Sequence, residues 1–80
     1  MSDVEQRVIA ILKDLRPEGA FEDSRNYLRD GLLDSTDIVS LVAELDATYG
    51  ISIDGTDILP EHFTNANTVA ALLTKYGVGT

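Results

Sequence analysis

Apolar residues in this 80-residue chain recur at helical spacing in three stretches, and the first of these lies near the N-terminus. Steps of three and four residues place side chains on one face of an α-helix. The first stretch follows that spacing with Val4, Val8, Ile11, Leu12 and Leu15. Residues 2–5 read Ser-Asp-Val-Glu, which is the pattern of a capping box at a helix start. Pro17 and Gly19 disfavour continuation, so a first helix is predicted to end before them.

A second helix is predicted from Asp34 to Tyr49. Its apolar face consists of Ile38, Leu41, Val42, Leu45 and Tyr49. Gly50 follows at the position where a left-handed residue commonly ends a helix. We expect the Asp34 carboxylate to cap the helix by accepting the N–H of Asp37 or its neighbour, with Asp37 reaching back. Ser35 would then occupy the first helical position, and its hydroxyl would be free.

The third stretch predicts a last helix that Asn65 caps and Gly77 ends. Its inward side chains are Val69, Leu72, Leu73 and Tyr76. Before it, residues 58–63 are expected to form a short helical turn with Pro60 at the first position. Residues 51–53 alternate like a strand but have no partner strand, so we expect an extended link whose isoleucines enter the core.

The connection between the first two helices, residues 16–33, shows no long apolar period. A connection of this length in a small domain is typically functional or pinned by its own side chains. The side chains available to pin it are Phe21, Tyr27, Leu28, Leu32 and Leu33. Residues 24–29 are a candidate helical turn, and a plain crossover between distant helices is the alternative. The chain is thus predicted to be a single domain over residues 1–80, an all-α four-helix bundle with three longer helices, one short helix and a long first loop.

Composition removes several kinds of chemistry. The chain has no cysteine and one histidine, which excludes disulfides, thiolate catalysis and sulfur-based zinc sites. The aspartates after residue 53 lack the spacing of a calcium loop, so no metal is expected. The acidic, mixed N-terminus and the absence of a long apolar run predict neither a signal peptide nor a membrane span. We expect a cytoplasmic protein.

Charge is distributed unevenly along the chain, whose formal net charge is −8. No lysine or arginine occurs between Asp30 and Thr74, a segment that holds eight acids. We expect the six cations outside it to balance the remaining acids. Such a surface repels nucleic acid and attracts a basic protein partner. Acidity that only keeps a small domain soluble is the alternative.

The outward side of the second helix is predicted to carry a small apolar strip with a carboxylate rim, from angular positions of about 100° per residue. The residues expected to dock a partner there are Thr36, Asp37, Val39, Ala43, Glu44 and Asp46. An apolar strip with a charged rim suits a basic partner, and an ordinary half-exposed helix is the alternative. A phosphate ester on Ser35 would lie at the positive end of the helix dipole.

Residues 30–35, Asp-Gly-Leu-Leu-Asp-Ser, precede an amphipathic helix that ends in Tyr-Gly-Ile-Ser-Ile at residues 49–53. In this the chain resembles the acyl carrier protein family, a resemblance that extends to the turn at Phe63 and the last helix. The family is built as a four-helix bundle with the Asp-Ser motif at the start of helix two. The resemblance implies that Ser35, with Asp34 as motif and cap, receives 4′-phosphopantetheine from coenzyme A. The arm's thiol would then hold an acyl group as a thioester.

The resemblance also implies partners and a pathway class. These are a magnesium-dependent phosphopantetheinyl transferase, a loading ligase, and acyl-transfer enzymes of fatty-acid, lipid or secondary-metabolite synthesis with basic docking surfaces. The carrier itself is expected to be monomeric and non-catalytic. Thr36 and Ala43 stand where many fatty-acid carriers have large apolar residues, and Ser40 where they often have an acid. We therefore expect a specialised carrier, with an aminoacyl carrier of the D-alanyl or peptidyl kind as the alternative.

Two other classes of function remain open. The first is an enzyme with a triad of Ser35, His62 and an aspartate, but a domain this small has little room for both a core and a water-excluding cleft with an oxyanion hole. An acidic helical interaction module, in which Ser35 is never modified, is the other class. Mass spectrometry of the protein after exposure to a transferase separates a carrier from that module.

Overall fold

The computed structural model describes residues 2–79, which contain three α-helices, two short 3₁₀ helices and no strand. The α-helices are α1 (Asp3–Leu15), α2 (Ser35–Tyr49) and α3 (Ala66–Lys75). The first and second 3₁₀ helices are Gly55–Asp57 and Pro60–Phe63. The predicted all-α class is confirmed. The predicted short helix is the second 3₁₀ helix, which has Pro60 at its start as expected.

Each α-helix begins with a reciprocal capping box, which is why the sequence signals at these three points were accurate. Ser2 caps α1, Asp34 caps α2 and Asn65 caps α3, and in each case the third helical residue bonds back to the cap. Gly50 ends α2 in the left-handed conformation, with φ of 63°. A residue with a Cβ would be strained there, so the glycine lets the chain leave α2 sharply.

The core forms where α1 packs against both α2 and α3, and α3 also packs against the second 3₁₀ helix. The predicted apolar faces supply most of it, and Ile9 is buried as well. Ile53 is buried and Ile51 is half-buried, as expected for an extended link that enters the core. Among the helices described, none is long and apolar enough to cross a lipid bilayer.

The long connection is pinned by Tyr27, whose side chain is 1% exposed. Its N–H donates to the Thr64 carbonyl at 2.7 Å, and its hydroxyl oxygen accepts the Ala66 N–H at 3.0 Å. Its own carbonyl accepts the N–H groups of Leu32 and Leu33 at 2.8 and 3.2 Å. The connection therefore docks on the start of α3, and the residues just before α2 are held by the same tyrosine.

The helical turn expected at residues 24–29 lies slightly later, over residues 26–31. The Asp30 N–H donates to the Asn26 carbonyl at 2.9 Å, and the Asn26 side chain accepts the Arg29 N–H at 3.0 Å. Asn26 thus acts as the cap of this turn and fixes its start. Ser24 instead donates its hydroxyl to Asp30 at 2.6 Å.

Candidate functional site

The candidate site is the start of α2, where Ser35 is the first helical residue. The Asp34 carboxylate accepts the Asp37 N–H at 2.9 Å, and the Asp37 carboxylate accepts the Asp34 N–H at 3.1 Å. These two bonds cap the helix as predicted. Ser35 is solvent-exposed, and its hydroxyl makes no hydrogen bond within residues 2–79. An oxygen that is both accessible and unbonded can be esterified without first breaking a native interaction.

Two backbone donors remain free beside this hydroxyl. The Asp37 N–H is used by the cap, and the Ile38 N–H donates to the Asp34 carbonyl at 3.1 Å. The N–H groups of Ser35 and Thr36 have no acceptor in the described part of the chain. Free N–H groups and the helix dipole stabilise an anion at a helix start, typically by about 0.3–1 kcal/mol.

The approach to Ser35 is fixed from the core side. Leu33 is 4% exposed and so anchors the chain two residues before the serine. Gly31, with φ of 74°, adopts the left-handed conformation that turns the chain back toward α2. Together with the bonds from Leu32 and Leu33 to the Tyr27 carbonyl, this places the serine where the chain leaves the core.

Arg16 binds the start of α2 from the end of α1. Its Nε and Nη2 donate to the two oxygens of Asp37 at 3.1 and 2.7 Å, and Nη2 lies 3.7 Å from the Asp34 carboxylate. The hydrogen bond from Arg16 is the main reason that the pKa of Asp37 lies below its ordinary value, although partial burial opposes it. Sequence reasoning missed this contact. A cation at a helix C-terminus was its only local signal.

Ion pairs in the structure cross the boundary of the acidic segment. Three of the six cations reach into that segment and pair with its carboxylates, and Arg16 also lies 3.7 Å from Glu18 outside it. Their pairs are Arg16–Asp37, Arg29–Asp30 and Lys75–Asp57. Folding brings the ends of α1 and α3 against that segment, so neighbours in space differ from neighbours in sequence. The segment is consequently less acidic at those points than its composition suggests.

The predicted docking strip lies on the surface, with its most prominent member in the middle. Thr36, Val39 and Ala43 are all exposed, and Val39 is 65% exposed. Glu44 is exposed and has no ion-pair partner among residues 2–79. This apolar strip and Glu44 are therefore available to a partner.

The other two carboxylates of the predicted rim, Asp37 and Asp46, make hydrogen bonds that hold the fold together. The Asp37 side chain is only 14% exposed and is shared by Arg16 and the Asp34 N–H. Asp46 is half-buried and accepts the Ile53 N–H at 3.0 Å, which ties the extended link to α2. Reversing either charge would therefore disturb the fold as well as any docking.

A second polar cluster lies where the first 3₁₀ helix meets the end of α3. Asp57 accepts Lys75 Nζ at 2.8 Å and the Tyr76 hydroxyl at 2.6 Å, and the Tyr76 oxygen accepts the Asp54 N–H at 2.9 Å. The Lys75 hydrogen bond is the largest cause of the lowered pKa of Asp57. This cluster ties two elements together, and the sequence had suggested no pairing for any of its members.

The remaining candidates from the sequence are His62 and a metal site. His62 is half-buried in the second 3₁₀ helix, and no hydrogen bond joins it to Ser35 in the structure as described. Over the same residues, 2–79, no group of three or more potential ligands is arranged to hold a metal ion.

One surface depression and three apolar residues of the core region lie outside the contacts described so far. Val42 and Leu72 are buried in the core, and Ile58 packs half-buried against it. A shallow surface depression of about 210 Å³ lies beside the connection that leads to Ser35, and Asp30 and Leu32 contribute to its lining.

No family model, curated protein or solved structure was found to match the chain. The functional interpretation therefore rests on the chemistry of the α2 start and on the motif around it.

Proposed function

We propose that this chain is an acyl carrier protein, in which Ser35 carries a 4′-phosphopantetheine arm derived from coenzyme A. Under this proposal the three α-helices and the second 3₁₀ helix correspond to the four helices of the carrier bundle. The chain itself performs no catalysis and presents its cargo to partner enzymes of fatty-acid, lipid or secondary-metabolite synthesis.

The observation that carries the proposal is the free hydroxyl of Ser35 at the first position of α2. The chain's other serines provide a contrast. Ser2 spends its hydroxyl on capping α1, and Ser24 donates its hydroxyl to Asp30. Ser40 is exposed but lies one and a half turns inside α2, away from the free N–H groups at the helix start. Ser52 is exposed but lies in the extended link after α2, not at a helix start. Ser35 alone among the chain's five serines combines exposure, an unbonded oxygen and a helix start.

The residues around Ser35 fit a phosphodiester at this position. In the transfer, Ser35 Oγ forms a bond to the phosphorus that bears pantetheine, while the bond from that phosphorus to the nucleotide's phosphate oxygen breaks. The hydroxyl proton passes to a base of the transferase or to water. The free N–H groups of Ser35 and Thr36 are available to the ester's negative charge. The arm, when attached, supplies the thiol that this cysteine-free chain lacks.

Partner recognition is proposed to use the outward side of α2. Val39 offers the apolar contact, flanked by Thr36 and Ala43, and Glu44 offers an unpaired charge. A basic transferase or ligase would be attracted over a distance by the net charge of −8 and would seat its apolar contact on the strip. Association should weaken with salt, because screening becomes effective beyond about 8 Å at physiological ionic strength.

The proposal is tested by intact-mass spectrometry after co-expression with a promiscuous phosphopantetheinyl transferase. Wild type should gain the mass of one phosphopantetheine, and Ser35→Ala should gain none. Ser40→Ala, an exposed serine of the same helix, is the matched control and should be loaded like wild type. Absence of any gain on the wild type would instead favour the unmodified interaction module.

The nature of the cargo is a separate question, with an aminoacyl or peptidyl group as the alternative to a fatty or other acyl group. Purification from the native host, followed by hydroxylamine release, frees whatever is bound as a thioester. Identifying the released hydroxamate by mass spectrometry distinguishes an amino acid from a fatty acid. The small Thr36 and Ala43 side chains support partners dedicated to one pathway, whichever class is found.

A further inference from the structure

We infer that Arg16 is a positioning residue for the modification of Ser35, acting through Asp37 on the first turn of α2. The inference rests on the proposed carrier function. It concerns a residue that lies on a different helix and far from the motif in sequence. Its basis is the two-bond contact that joins the end of α1 to the start of α2.

Arg16 is itself held firmly enough to act as a support. It is the C-cap of α1, and its N–H donates to the Leu12 carbonyl at 2.8 Å. Its carbonyl accepts the Gly19 N–H at 3.0 Å, so the backbone is fixed on both sides. Both oxygens of Asp37 accept from one guanidinium, and such paired bonds restrict orientation more than a single contact would.

The same carboxylate oxygen serves both Arg16 and the cap of α2. Asp37 Oδ2 accepts Arg16 Nη2 at 2.7 Å and the Asp34 N–H at 3.1 Å. Ser35 lies in the sequence between Asp34 and Asp37, the two residues whose mutual hydrogen bonds close this turn. Arg16 therefore fixes the orientation of the carboxylate that closes the turn bearing the reactive hydroxyl.

Arg16 also offsets the charge next to the reacting oxygen. The group delivered to Ser35 is an anionic phosphoryl group, and Asp34 and Asp37 are the two nearest acids in the sequence. The guanidinium contacts Asp37 directly and lies 3.7 Å from the Asp34 carboxylate. Without it, two uncompensated carboxylates would oppose the approach of the phosphate.

For Arg16→Gln, the local effects at the start of α2 and the net charge of the protein predict opposite changes in the rate of loading. Replacing an arginine by glutamine makes the acidic carrier more acidic, which favours encounter with a basic transferase. Loss of support at the helix start slows the chemical step. Arg16→Gln should therefore lower kcat for loading without raising KM, whereas a docking residue would raise KM.

The experiment measures the steady-state kinetics of loading by a transferase on purified apo protein. Arg7→Gln is the matched control, because Arg7 is exposed on α1 and forms no ion pair in residues 2–79. We expect kcat to fall about fivefold for Arg16→Gln and to stay at the wild-type value for Arg7→Gln. Arg16→Lys keeps the positive charge but loses the paired N–H donors of the guanidinium, and it should recover part of the loading rate. Equal kcat for Arg16→Gln and Arg7→Gln would overturn the inference.

A double-mutant cycle tests whether Arg16 acts through Asp37. In an Asp37→Asn background, Arg16→Gln should change kcat by less than about twofold, because the paired bonds are already lost. Additive effects would contradict action through Asp37.

Helical circular dichroism is measured for each variant to show that it is folded. If Arg16→Gln does not fold, Arg16→Lys takes its place, and a kcat equal to that of wild type in Arg16→Lys overturns the inference. A loaded wild type with unaffected variants refutes this inference alone, whereas an unloaded wild type refutes the carrier function too.

Discussion

The starts of α1 and α2 use the same capping device but leave their serines in different states. At α1 the serine is the cap, so the Ser2 hydroxyl oxygen accepts the Glu5 N–H at 3.2 Å. At α2 an aspartate is the cap, and Ser35 follows it with an unbonded hydroxyl. Shifting the serine by one position therefore changes it from a structural residue into a chemically available one.

The two starts also differ in how the rest of the chain supports them. The box at α1 makes its hydrogen bonds between Ser2 and Glu5. The box at α2 is bound by Arg16 from another helix and is preceded by the buried Leu33. A start that presents a reactive group is thus supported from outside its own helix, which limits the motion of the group.

The largest expected effect comes from breaking the support at Tyr27. Tyr27→Ala removes a buried aromatic side chain that also contacts Phe21 edge-on at 5.2 Å, and should destabilise the fold by about 3–5 kcal/mol. Tyr27→Phe removes only the hydroxyl that accepts the Ala66 N–H, and should cost about 1–2 kcal/mol. Urea unfolding followed by circular dichroism measures both. Equal losses would contradict the role assigned to the aromatic ring.

Removing the caps of α1 and α2 in turn distinguishes an effect on the stability of the fold from an effect on loading. Ser2→Ala and Asp34→Ala each remove a cap and should each lower the free energy of unfolding by about 1 kcal/mol. Only Asp34→Ala should also slow loading by the transferase, because only that cap orients the helix start that bears Ser35. Parallel urea unfolding and loading assays measure the two effects. Slowed loading in Ser2→Ala would show that general stability controls the rate.

Acid should weaken the support of α2 through Asp37. Its pKa in the folded protein lies below the ordinary value of about 3.9, chiefly because of the Arg16 hydrogen bond. This stabilisation is complete above the unfolded pKa and is lost as pH falls through the folded pKa. The stability difference between wild type and Asp37→Asn should therefore shrink below about pH 4. Urea midpoints at neutral and acidic pH measure it, and a constant difference would contradict the account.

The smallest expected effect concerns the docking strip. Glu44→Lys should slow loading severalfold while changing stability by no more than about 0.5 kcal/mol, because Glu44 is exposed and unpaired. Glu61→Lys makes the same charge reversal on the second 3₁₀ helix and should slow loading less. Loading rates at low and moderate salt compare them. Identical rates would mean that only net charge matters.

The helix starts could be predicted from the sequence because capping chemistry is local. Asp34, Ser35 and Asp37 lie within four residues, so their bonds followed from spacing alone. The exposure of Ser35 followed from the position of the cap and from the apolar face of α2.

The supports of the site could not be predicted in this way. Arg16 and Asp37 are 21 residues apart, and Tyr27 and Ala66 are 39 apart. The position of Arg16 at the end of α1 does not tell which carboxylate it binds, and Arg7 within the same helix forms no ion pair in the part of the chain that the structure describes. The contacts depend on how the helices pack, and packing is set by the whole core.

The most direct test of the central claim locates the modification in the unmutated protein. After loading by the transferase, wild-type protein is digested and the modified peptide is fragmented in a tandem mass spectrometer. The account predicts that the phosphopantetheine is attached to Ser35. Attachment to Ser40 or to any other residue, or no attachment at all, would contradict it.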